Sequence, residues 1–525
     1  MKKTLSALLL LTMLLTCFSP IATAYAEDEY YPEEYIPSKF MTVFSVSIDG
    51  VLCDPPLTAP DSLYIYENRL PAAYILRNLG FDVSFDEASN TVSAIKGDMR
   101  IVLYLTHASV LVQTGDHVQE YSFMCHEFYG TSYVTNSFFS QIFGYYVALS
   151  YGPYSYDPET NTHIEHLQLT LSDLSSYGQQ LADLLNANLQ RAKDLDLDLS
   201  VPIRYSMSSD FLFDSPVFGI NAKGNITYDL QIARTDDGYF IDMKLGTEGL
   251  GNLMYDLTYK SGMASLYMPD FSAIDFDSPI EFKIIVDDTA TYMKLPGLQA
   301  KYVTTLYNYH YLETAEQQLK AQTAWLKSPA AVPAIKSGLS AQDGVAILVS
   351  MMPYESSMPT VFCEKMISLL QNLSDKSIVT QNDETGQVSI DMNIDKEWLY
   401  QQASAIASSF PLGYYNPGHS DLDAILAAQQ ASVDQFFDML EFDMVNNETY
   451  QDGLLTTGTM RISAKLLNIP NAWNLPIGTF TFESKADYYS DQSIIMDTTI
   501  PAPDDCVDAY TLRGPNDPYP EYLKG

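Results

Sequence analysis

The chain has 525 residues, of which 46% are hydrophobic and 12% aromatic, and its formal net charge is −38. A negative field of this size repels phosphate groups, so it excludes nucleic acid as a partner, because nucleic-acid binding requires positive charge. The length allows roughly three domains with sizeable apolar cores.

The first 26 residues predict a secretory signal peptide. Lys2 and Lys3 supply its charged start, residues 5–15 its apolar core, and Ala24-Tyr25-Ala26 the small-residue cleavage site. Lipidation at Cys17 is the alternative, but Thr16 is a poor residue before a lipidated cysteine. No later run reaches the ~20 apolar residues that a membrane helix needs. We therefore expect a secreted, extracellular protein, cleaved after Ala26, with no transmembrane segment in the mature chain.

Residues 27–43 are acidic and rich in tyrosine, which predicts a flexible leader. After them, one pattern occurs twice between Val46 and Ile164. The first copy contains Ser47-Ile48-Asp49-Gly50, Asn68-Arg69-Leu70-Pro71, Leu79-Gly80 and Asn90-Thr91-Val92. The second contains Thr114-Gly115-Asp116, Phe143-Gly144-Tyr145 and Asn161-Thr162-His163. Two degenerate copies of a strand–helix–strand unit predict a small modular domain over residues 44–168.

Each part of the first copy has a physical reason. Pro71 suits the start of a helix, and Gly80 suits its end, because glycine takes the left-handed conformation at low cost. Val83 and Phe85 alternate with polar residues, as in a strand with one buried face. We expect a second short helix near Ser137–Phe143, and burial of a set of apolar side chains: Leu76, Leu79, Val83, Phe85 and Val92.

The first copy resembles the copper amine oxidase N-terminal-like domain, or stalk domain, found in many secreted bacterial proteins. The matching residues are Ile48, Asp49, Gly50, Asn68, Arg69, Leu70, Pro71, Leu79, Gly80, Val83, Phe85, Asp86, Thr91 and Val92. The resemblance implies a module that docks or positions the rest of the chain. The family's name implies neither copper nor oxidase activity.

Four cysteines would remain after cleavage, at positions 53, 125, 363 and 506. Export permits disulfides, and four cysteines allow three pairings. Cys53 and Cys125 occupy comparable places in the two copies, so a bridge between them is one possibility. Four buried free thiols are the other.

Residues 169–515 predict an α+β region, of one domain or two subdomains, before a tail at 516–525. A helix is expected over 171–197, strands over 201–298, helices at 305–330 (with Trp325 and Leu326), 360–376, 396–409 and 421–440, and a strand at 388–394. The chain closes with strands at 455–467, 478–489 and 493–500. Three of the earlier strands alternate clearly: Ile226-Tyr228-Leu230-Ile232, Tyr239-Ile241-Met243-Leu245 and Phe282-Ile284-Val286.

The order of these elements resembles the LolA/LppX-like lipoprotein folds, in which a curved antiparallel sheet cups helices. The overall fold class is therefore α+β: a small repeated β-α-β stalk-type module followed by a large helix-backed antiparallel sheet region. The helices should pack into the concave side of a single sheet. A crevice between helices and sheet would suit an apolar or peptide ligand.

Three patterns resemble catalytic or metal-binding motifs, and each of them lacks a feature that the chemistry requires. The segment Thr305–Tyr311 is similar to the copper amine oxidase motif in which a tyrosine, here at the position of Tyr309, becomes a quinone cofactor. However, His310 stands where the motif has an acidic residue, and the H-x-H pair that binds copper is missing. His163 and His166 could bind metal with His107, His117 or His126, but residues three apart on a strand point to opposite faces. Ser93 and Lys96 match the S-x-x-K of serine acyltransferases in letters only.

The sequence therefore predicts no catalytic, cofactor-binding or metal-binding residue, and no copper or zinc in the mature chain. We expect an exported, non-catalytic protein that acts at or outside the cell surface. Its partner would be a cell-surface or wall component, or a small apolar or peptide ligand. Two alternatives remain: a secreted hydrolase whose catalytic carboxylates lie in the C-terminal region, and a purely structural surface component.

Overall fold

A computed structural model gives the structure of the protein. It describes residues 39–508 outside a set of gaps: 54–55, 60–68, 106–108, 122, 124, 129–130, 136, 152–154, 159, 199, 218, 236–237, 250, 252–278, 288–289, 297–319, 321, 330–337, 353–357, 383, 412–420 and 471–475. The helices of the described residues are α1 (Ala72–Asn78), α2 (Ser137–Phe143), α3 (Ser175–Asp194), α4 (Ala341–Met351), α5 (Pro359–Asp375), α6 (Lys396–Ala407) and α7 (Leu422–Met439).

The strands fall into an N-terminal and a C-terminal set. The first set is β1 (Lys39–Ile48), β2 (Val51–Leu52), β3 (Leu57–Ala59), β4 (Arg69–Pro71), β5 (Asp82–Asp86), β6 (Thr91–Lys96), β7 (Met99–Tyr104), β8 (Ser109–Thr114), β9 (His117–Tyr121), β10 (Cys125–Phe128), β11 (Thr131–Thr135), β12 (Tyr145–Tyr151), β13 (Ser155–Asp157) and β14 (Thr162–Asp173). The second is β15 (Ile203–Ser215), β16 (Ile220–Arg234), β17 (Tyr239–Glu248), β18 (Ile280–Val286), β19 (Ala290–Lys294), β20 (Trp325–Pro329), β21 (Ser377–Asn382), β22 (Gln387–Asp395), β23 (Leu440–Gln451), β24 (Leu454–Pro470), β25 (Pro476–Ser490) and β26 (Cys506–Asp508).

The N-terminal strands and helices α1 and α2 form one module with a shared apolar core. Its first and last strands, β1 and β14, pair in parallel along the whole length of β1. Residues 39–43, which the sequence analysis places in the flexible leader, are the first half of β1. Strand β14 likewise continues past residue 168 to Asp173. The pairing of these first and last strands closes the module. Local sequence cannot predict a contact between residues so far apart in the chain.

The repeat is visible in the backbone. In both copies a seven-residue helix ends at a glycine with positive φ, Gly80 (86°) or Gly144 (76°), and a strand follows. The turns before β6 and β14, one in each copy, both end at an asparagine with positive φ, Asn90 (49°) or Asn161 (50°). Asparagine and glycine are the residues that tolerate this conformation best. The two predicted short helices are confirmed.

The two copies interlock instead of folding side by side. One sheet has the strand order β12-β14-β1-β2 and so combines the end of the second copy with the start of the first. The five-stranded sheet, β5-β6-β7-β8-β9, combines the end of the first copy with the start of the second. Strands β4 and β11, which precede the two helices, pair with each other. Neither copy therefore has a complete core of its own.

The burial expectations for the module are met in full at two of the five residues. Leu76 and Val92 are buried, and Leu79 and Val83 pack against the core while remaining partly exposed. The expected burial of Phe85 is wrong, because its side chain is 53% exposed. Phe85 lies on the edge strand β5 and lines an open cleft beside α1. Alternation correctly predicts which side of β5 Phe85 faces, but not whether another element covers that side.

The C-terminal strands form one sheet of twelve strands, in the order β21-β22-β23-β24-β25-β15-β16-β17-β18-β19-β20-β26. Strand β15 pairs with both β16 and β25, so the strands before and after the central helices belong to the same sheet. The single large sheet is therefore confirmed. Its pairs are antiparallel except the last, β20 with β26, which is parallel.

Helices α5, α6 and α7 pack at the β21–β25 end of this sheet and build an apolar core with it. Their bounds agree with the segments predicted at 360–376, 396–409 and 421–440. The starts of α6 and α7 are capped by Asp395 and Asp421, whose carboxylates accept backbone N–H groups of the first turn. Helix α4 begins with a capping box formed by Ser340 and Asp343.

Two predicted elements of the C-terminal region are wrong. Trp325 and Leu326, expected on a helix, lie in strand β20 between β19 and β26. Residues 320, 322 and 323 of that predicted helix are helical. Residues 305–319, which include the segment Thr305–Tyr311, lie outside the described residues, as do 321 and 330. Residues 493–500, expected to form a strand, have no regular structure. Short apolar runs do not by themselves distinguish a strand from a helix, and here the pairing partners decide.

The module is joined to the large region at helices α3 and α4, which cross each other at two glycines. Helix α3 follows β14 directly and crosses α4 where Gly178 meets Gly344. A Cβ atom on Gly178 would lie 2.2 Å from the Ala341 carbonyl oxygen, so only glycine permits this approach. Nearby, Gln342 Nε2 donates to the Ile142 carbonyl at 3.2 Å, which links α4 to α2 of the module. Tyr146 of β12 packs into the helical core of the large region.

Candidate binding face of the large sheet

Strands β16, β17 and β18 have two chemically different sides. On one side, Asp229, Asp242, Lys244, Glu281 and Lys283 project into solvent or near it. Lys244 Nζ lies 2.9 Å from Glu281 Oε1, and Lys283 Nζ lies 3.5 Å from Asp242 Oδ2. Exposed ion pairs of this kind contribute little to stability, at most about 1 kcal/mol. The part of the outer side that carries these ion pairs faces water, whereas Phe240 and Ile285, on the same side, are buried beside Met496 and Ile500.

The other side of the same strands carries a continuous set of apolar residues, which we call the apolar face. Cross-strand pairing places Leu230 next to Met243 and Met243 next to Phe282, so these three residues form one row of the face. Neighbouring rows complete it, and every member is partly exposed: Tyr228, Leu230, Ile232, Ile241, Met243, Leu245, Ile280, Phe282, Ile284 and Met293.

Tyrosines border the apolar face. Partial burial raises the pKa of the Tyr228 hydroxyl above its usual value. Tyr205, in the adjacent strand β15, has a pKa raised to about 12, first by burial and then by Tyr228. Both phenols are therefore neutral at physiological pH. The face thus presents neutral aromatic and aliphatic groups to whatever covers it.

At the β21–β25 end, the same side of the sheet is covered by helices. There, α5, α6 and α7 cover it, and the strand residues beneath them, including Val388, Ile390, Met444 and Met460, are buried. The described helices that pack on the sheet, α5, α6 and α7, all cover it at this end. The contrast locates a candidate site: a sheet side that is closed at one end and half open at the other.

The module carries a separate cleft with a volume of about 220 Å³. It lies between α1, β5 and the β10–β11 hairpin, with Phe85 and Val83 on one wall and Arg77 and Glu127 among its polar lining. The hydroxyl of Ser132, also in the lining, accepts the backbone N–H of Ala73 and so fixes the start of α1 to β11. The cleft explains the exposure of Phe85 but brings no catalytic set together.

One buried polar cluster lies inside the helix-covered core. Glu448 of β23 is 4% exposed, and the Tyr450 hydroxyl donates to its Oε2 at 2.9 Å. The Tyr488 hydroxyl lies 3.0 Å from Glu448 Oε1 and 2.6 Å from Asn446 Oδ1. Burial, and then the neighbouring carboxylate, raises the pKa of both tyrosines far above the usual range. The residues bonded to Glu448 are neutral donors and not a second carboxylate, so the cluster does not supply the acid pair of a glycoside hydrolase.

The histidine candidates that the structure describes lie on different strands or face opposite sides of one strand. His163 and His166 are both in β14, three residues apart, and the His163 ring packs against Tyr156 at 4.8 Å. His117 lies in β9, His126 lies in β10, and His107 is outside the described residues. Across the part of the chain that the structure describes, no group of three or more His, Cys, Asp or Glu residues is placed to hold a metal ion.

Ser93 and Lys96 do not form a catalytic pair either. Both lie in β6, where residues three apart face opposite sides. Lys96 Nζ donates to the Leu79 carbonyl at 2.7 Å and lies 5.6 Å from the centre of the Phe81 ring. Its role is to bind the end of α1, a structural contact at a helix C-terminus.

The suggested bridge between Cys53 and Cys125 is not formed, and Cys53, Cys125, Cys363 and Cys506 are all free thiols. Cys125 is buried, and its Sγ lies 3.4 Å from the Phe123 carbonyl. Burial raises the pKa of the Cys125 thiol, and it raises that of Cys363 to about 12. Equivalent places in two interlocked repeats are not necessarily adjacent in space. The second interpretation, four buried free thiols, holds for Cys125 and Cys363, whereas Cys53 and Cys506 are free but partly exposed.

In the described ranges, no helix is both long enough and apolar enough to cross a membrane.

The module, with its interlocked repeats and two short helices, has the organisation that the resemblance implies. The family model of the copper amine oxidase N-terminal domain matches residues 54–154. This range is about a fifth of the chain and lies inside the module closed by β1 and β14. No curated protein shows significant similarity to the chain. The resemblance is thus confirmed for the module, and the LolA/LppX-like resemblance of the larger region stays a prediction.

Proposed function

We propose that the chain is an exported, non-catalytic binding protein. In this proposal the N-terminal module docks or positions the protein at the cell surface, and the large sheet binds an apolar ligand on its apolar face. The observation that carries the proposal is the half-open apolar face beside a charged outer side. Support for export comes from the charged start, the apolar core and the small-residue cleavage site of residues 1–26.

The energetics of the face favour a ligand with a large apolar surface. Full burial of one Leu, Ile, Phe or Met side chain contributes about 1.5–3 kcal/mol. The ten residues of the face are already partly buried, so covering each of them completely would contribute only part of that free energy. Closing the face over several of them would still suffice for micromolar binding, which corresponds to about 8 kcal/mol. A contiguous, partly exposed apolar patch on a soluble protein typically marks a ligand-binding or interaction site.

Ligand binding is tested by replacing one central residue of the face. We expect Met243→Gln to weaken binding of a fluorescent long-chain fatty-acid analogue by about tenfold, because a polar amide must then lose its water on binding. The matched control is Lys244→Gln, the next residue of β17, which points to the outer side. It should leave affinity unchanged. Equal affinity of both variants, or no binding by the unmodified protein, would contradict the proposal and favour a purely structural role.

Export is tested separately from binding. A culture that expresses the full chain should release it with Glu27 as its first residue, as read by mass spectrometry of the N-terminal peptide. The control is a chain with Lys2, Lys3 and the apolar core retained but Ala24 and Ala26 replaced by leucine, which should not be cleaved at this site. Retention of an uncleaved, unmodified chain inside the cell would show that the prediction of export is wrong.

A further inference from the structure

The twelve-stranded sheet ends on one side at β21, and this edge strand is unprotected. Its residues Ser377–Asn382 have no charge and no proline, and it pairs with β22 in a regular register without a bulge. In the described part of the chain, β21 pairs only with β22. Ile378 is 66% exposed, and Thr380, Gln381 and Asn382 are exposed as well.

Soluble proteins normally blunt such edges with charge, short length, bulges or a covering element. Three other edge strands that the structure describes follow that rule. Strand β5 carries Asp82 and Asp86, β26 has only three residues, and β12 is covered, with Tyr146 and Val147 buried. In a chain with 66 acidic residues, an uncharged six-residue edge with four exposed residues departs from the pattern of the other edges.

The sequence of β21 is complementary to itself in an antiparallel arrangement. If two copies pair about a two-fold axis at Val379, Val379 faces Val379 of the partner copy, and Ile378 faces Thr380 of the partner copy twice. All three contacts join β-branched residues, which favour cross-strand packing. In this register the helix-covered sides of the two sheets also lie on the same side, so apolar positions stay together.

Charge also favours this strand as the meeting point of two copies. Each chain has a net charge of −38, so most surfaces would bring carboxylates against carboxylates. The residues of β21 have no charged side chain to desolvate or repel. A two-fold contact is closed, so pairing stops at two chains. We propose that β21 is a homodimerisation edge, where two copies of this chain join their large sheets through antiparallel β21 strands.

The test is the oligomeric state of the mature protein by sedimentation velocity over a range of concentrations. We expect a monomer–dimer equilibrium that strengthens as salt rises, because salt screens the repulsion between the acidic chains. Ile378→Lys and Thr380→Lys should each weaken the dimer at least tenfold. The matched control is Asn447→Lys, an exposed residue in the same cross-strand row as Ile378 but two strands inside the edge. It should dimerise like the unmodified protein.

A cross-linking experiment tests the register independently. Under mild oxidation, Val379→Cys should give a covalent dimer, because the two cysteines would meet at the axis, whereas Asn447→Cys should not. A protein that is monomeric at every concentration overturns the proposal. So does dimerisation that the lysine variants leave unchanged, since it would show that the copies meet elsewhere.

Discussion

Gly178→Ala is expected to lower the free energy of unfolding by about 2 kcal/mol, although alanine is the better helix former. The new Cβ would lie 2.2 Å from the Ala341 carbonyl oxygen and 2.5 Å from Val345 Cγ2. Overpacking against a backbone atom costs about 3 kcal/mol, while the change from glycine to alanine in a helix recovers about 1 kcal/mol. Helices α3 and α4 must therefore move apart, and the module loosens from the helical core.

Urea unfolding measures this change. Gln180→Ala is the control, because Gln180 is exposed on the same helix, and its replacement should change stability by less than about 0.5 kcal/mol. Gly344→Ala should resemble Gly178→Ala, since its Cβ would meet the Gly178 carbonyl. A stabilised Gly178→Ala protein would mean that the two helices do not cross at these glycines.

Glu448→Ala is expected to cost about 4 kcal/mol of stability, the largest loss that we predict for a single substitution. The change leaves a cavity in the core under α6 and α7. It removes the acceptor for Tyr450 and one of the two acceptors for Tyr488, which keeps Asn446. Each buried group left without a partner costs about 1–3 kcal/mol. Glu448→Gln keeps one acceptor oxygen and nearly the same volume, so it should lose about half as much.

A mutant cycle separates the hydrogen bonds from the cavity. In a Tyr450→Phe, Tyr488→Phe background the two hydroxyls are gone, so Glu448→Ala should cost clearly less than it does in the unmodified protein. Equal costs in both backgrounds would show that the hydroxyls do not depend on Glu448. Thermal or urea unfolding supplies all four values of the cycle.

Local pattern was sufficient for several elements. Pro71 and Gly80 bound a real helix, and Gly80 and Asn90 take the left-handed conformations that their residue types allow most cheaply. The alternating residues of β16, β17 and β18 form strands with one apolar side, as their period of two requires. These features depend on contacts within a few residues, which is why sequence predicts them.

The candidate site was only half predictable for the same reason. Alternation places Leu230, Met243 and Phe282 on one side of a strand, but α5–α7 cover one end of the sheet and not the other. Glu448 lies in a polar stretch, Asn446-Asn447-Glu448-Thr449, that reads as a solvated strand, yet it is buried. Gly178 and Gly344, each within an apolar helical pattern, are the signal in the sequence that indicates the close packing of α3 and α4.

The sequence by itself thus determined the module, its two helices, the charged and apolar sides of the strands, and the order of most elements. Tertiary structure alone decided that β1 closes against β14, that the repeats interlock, that Cys53 and Cys125 stay apart, and that Trp325 and Leu326 join a strand. It also decided that Phe85 stays exposed and that β21 ends the sheet. The reason is range: turns, caps and alternation follow from neighbouring residues, whereas burial and pairing depend on segments far apart in the chain.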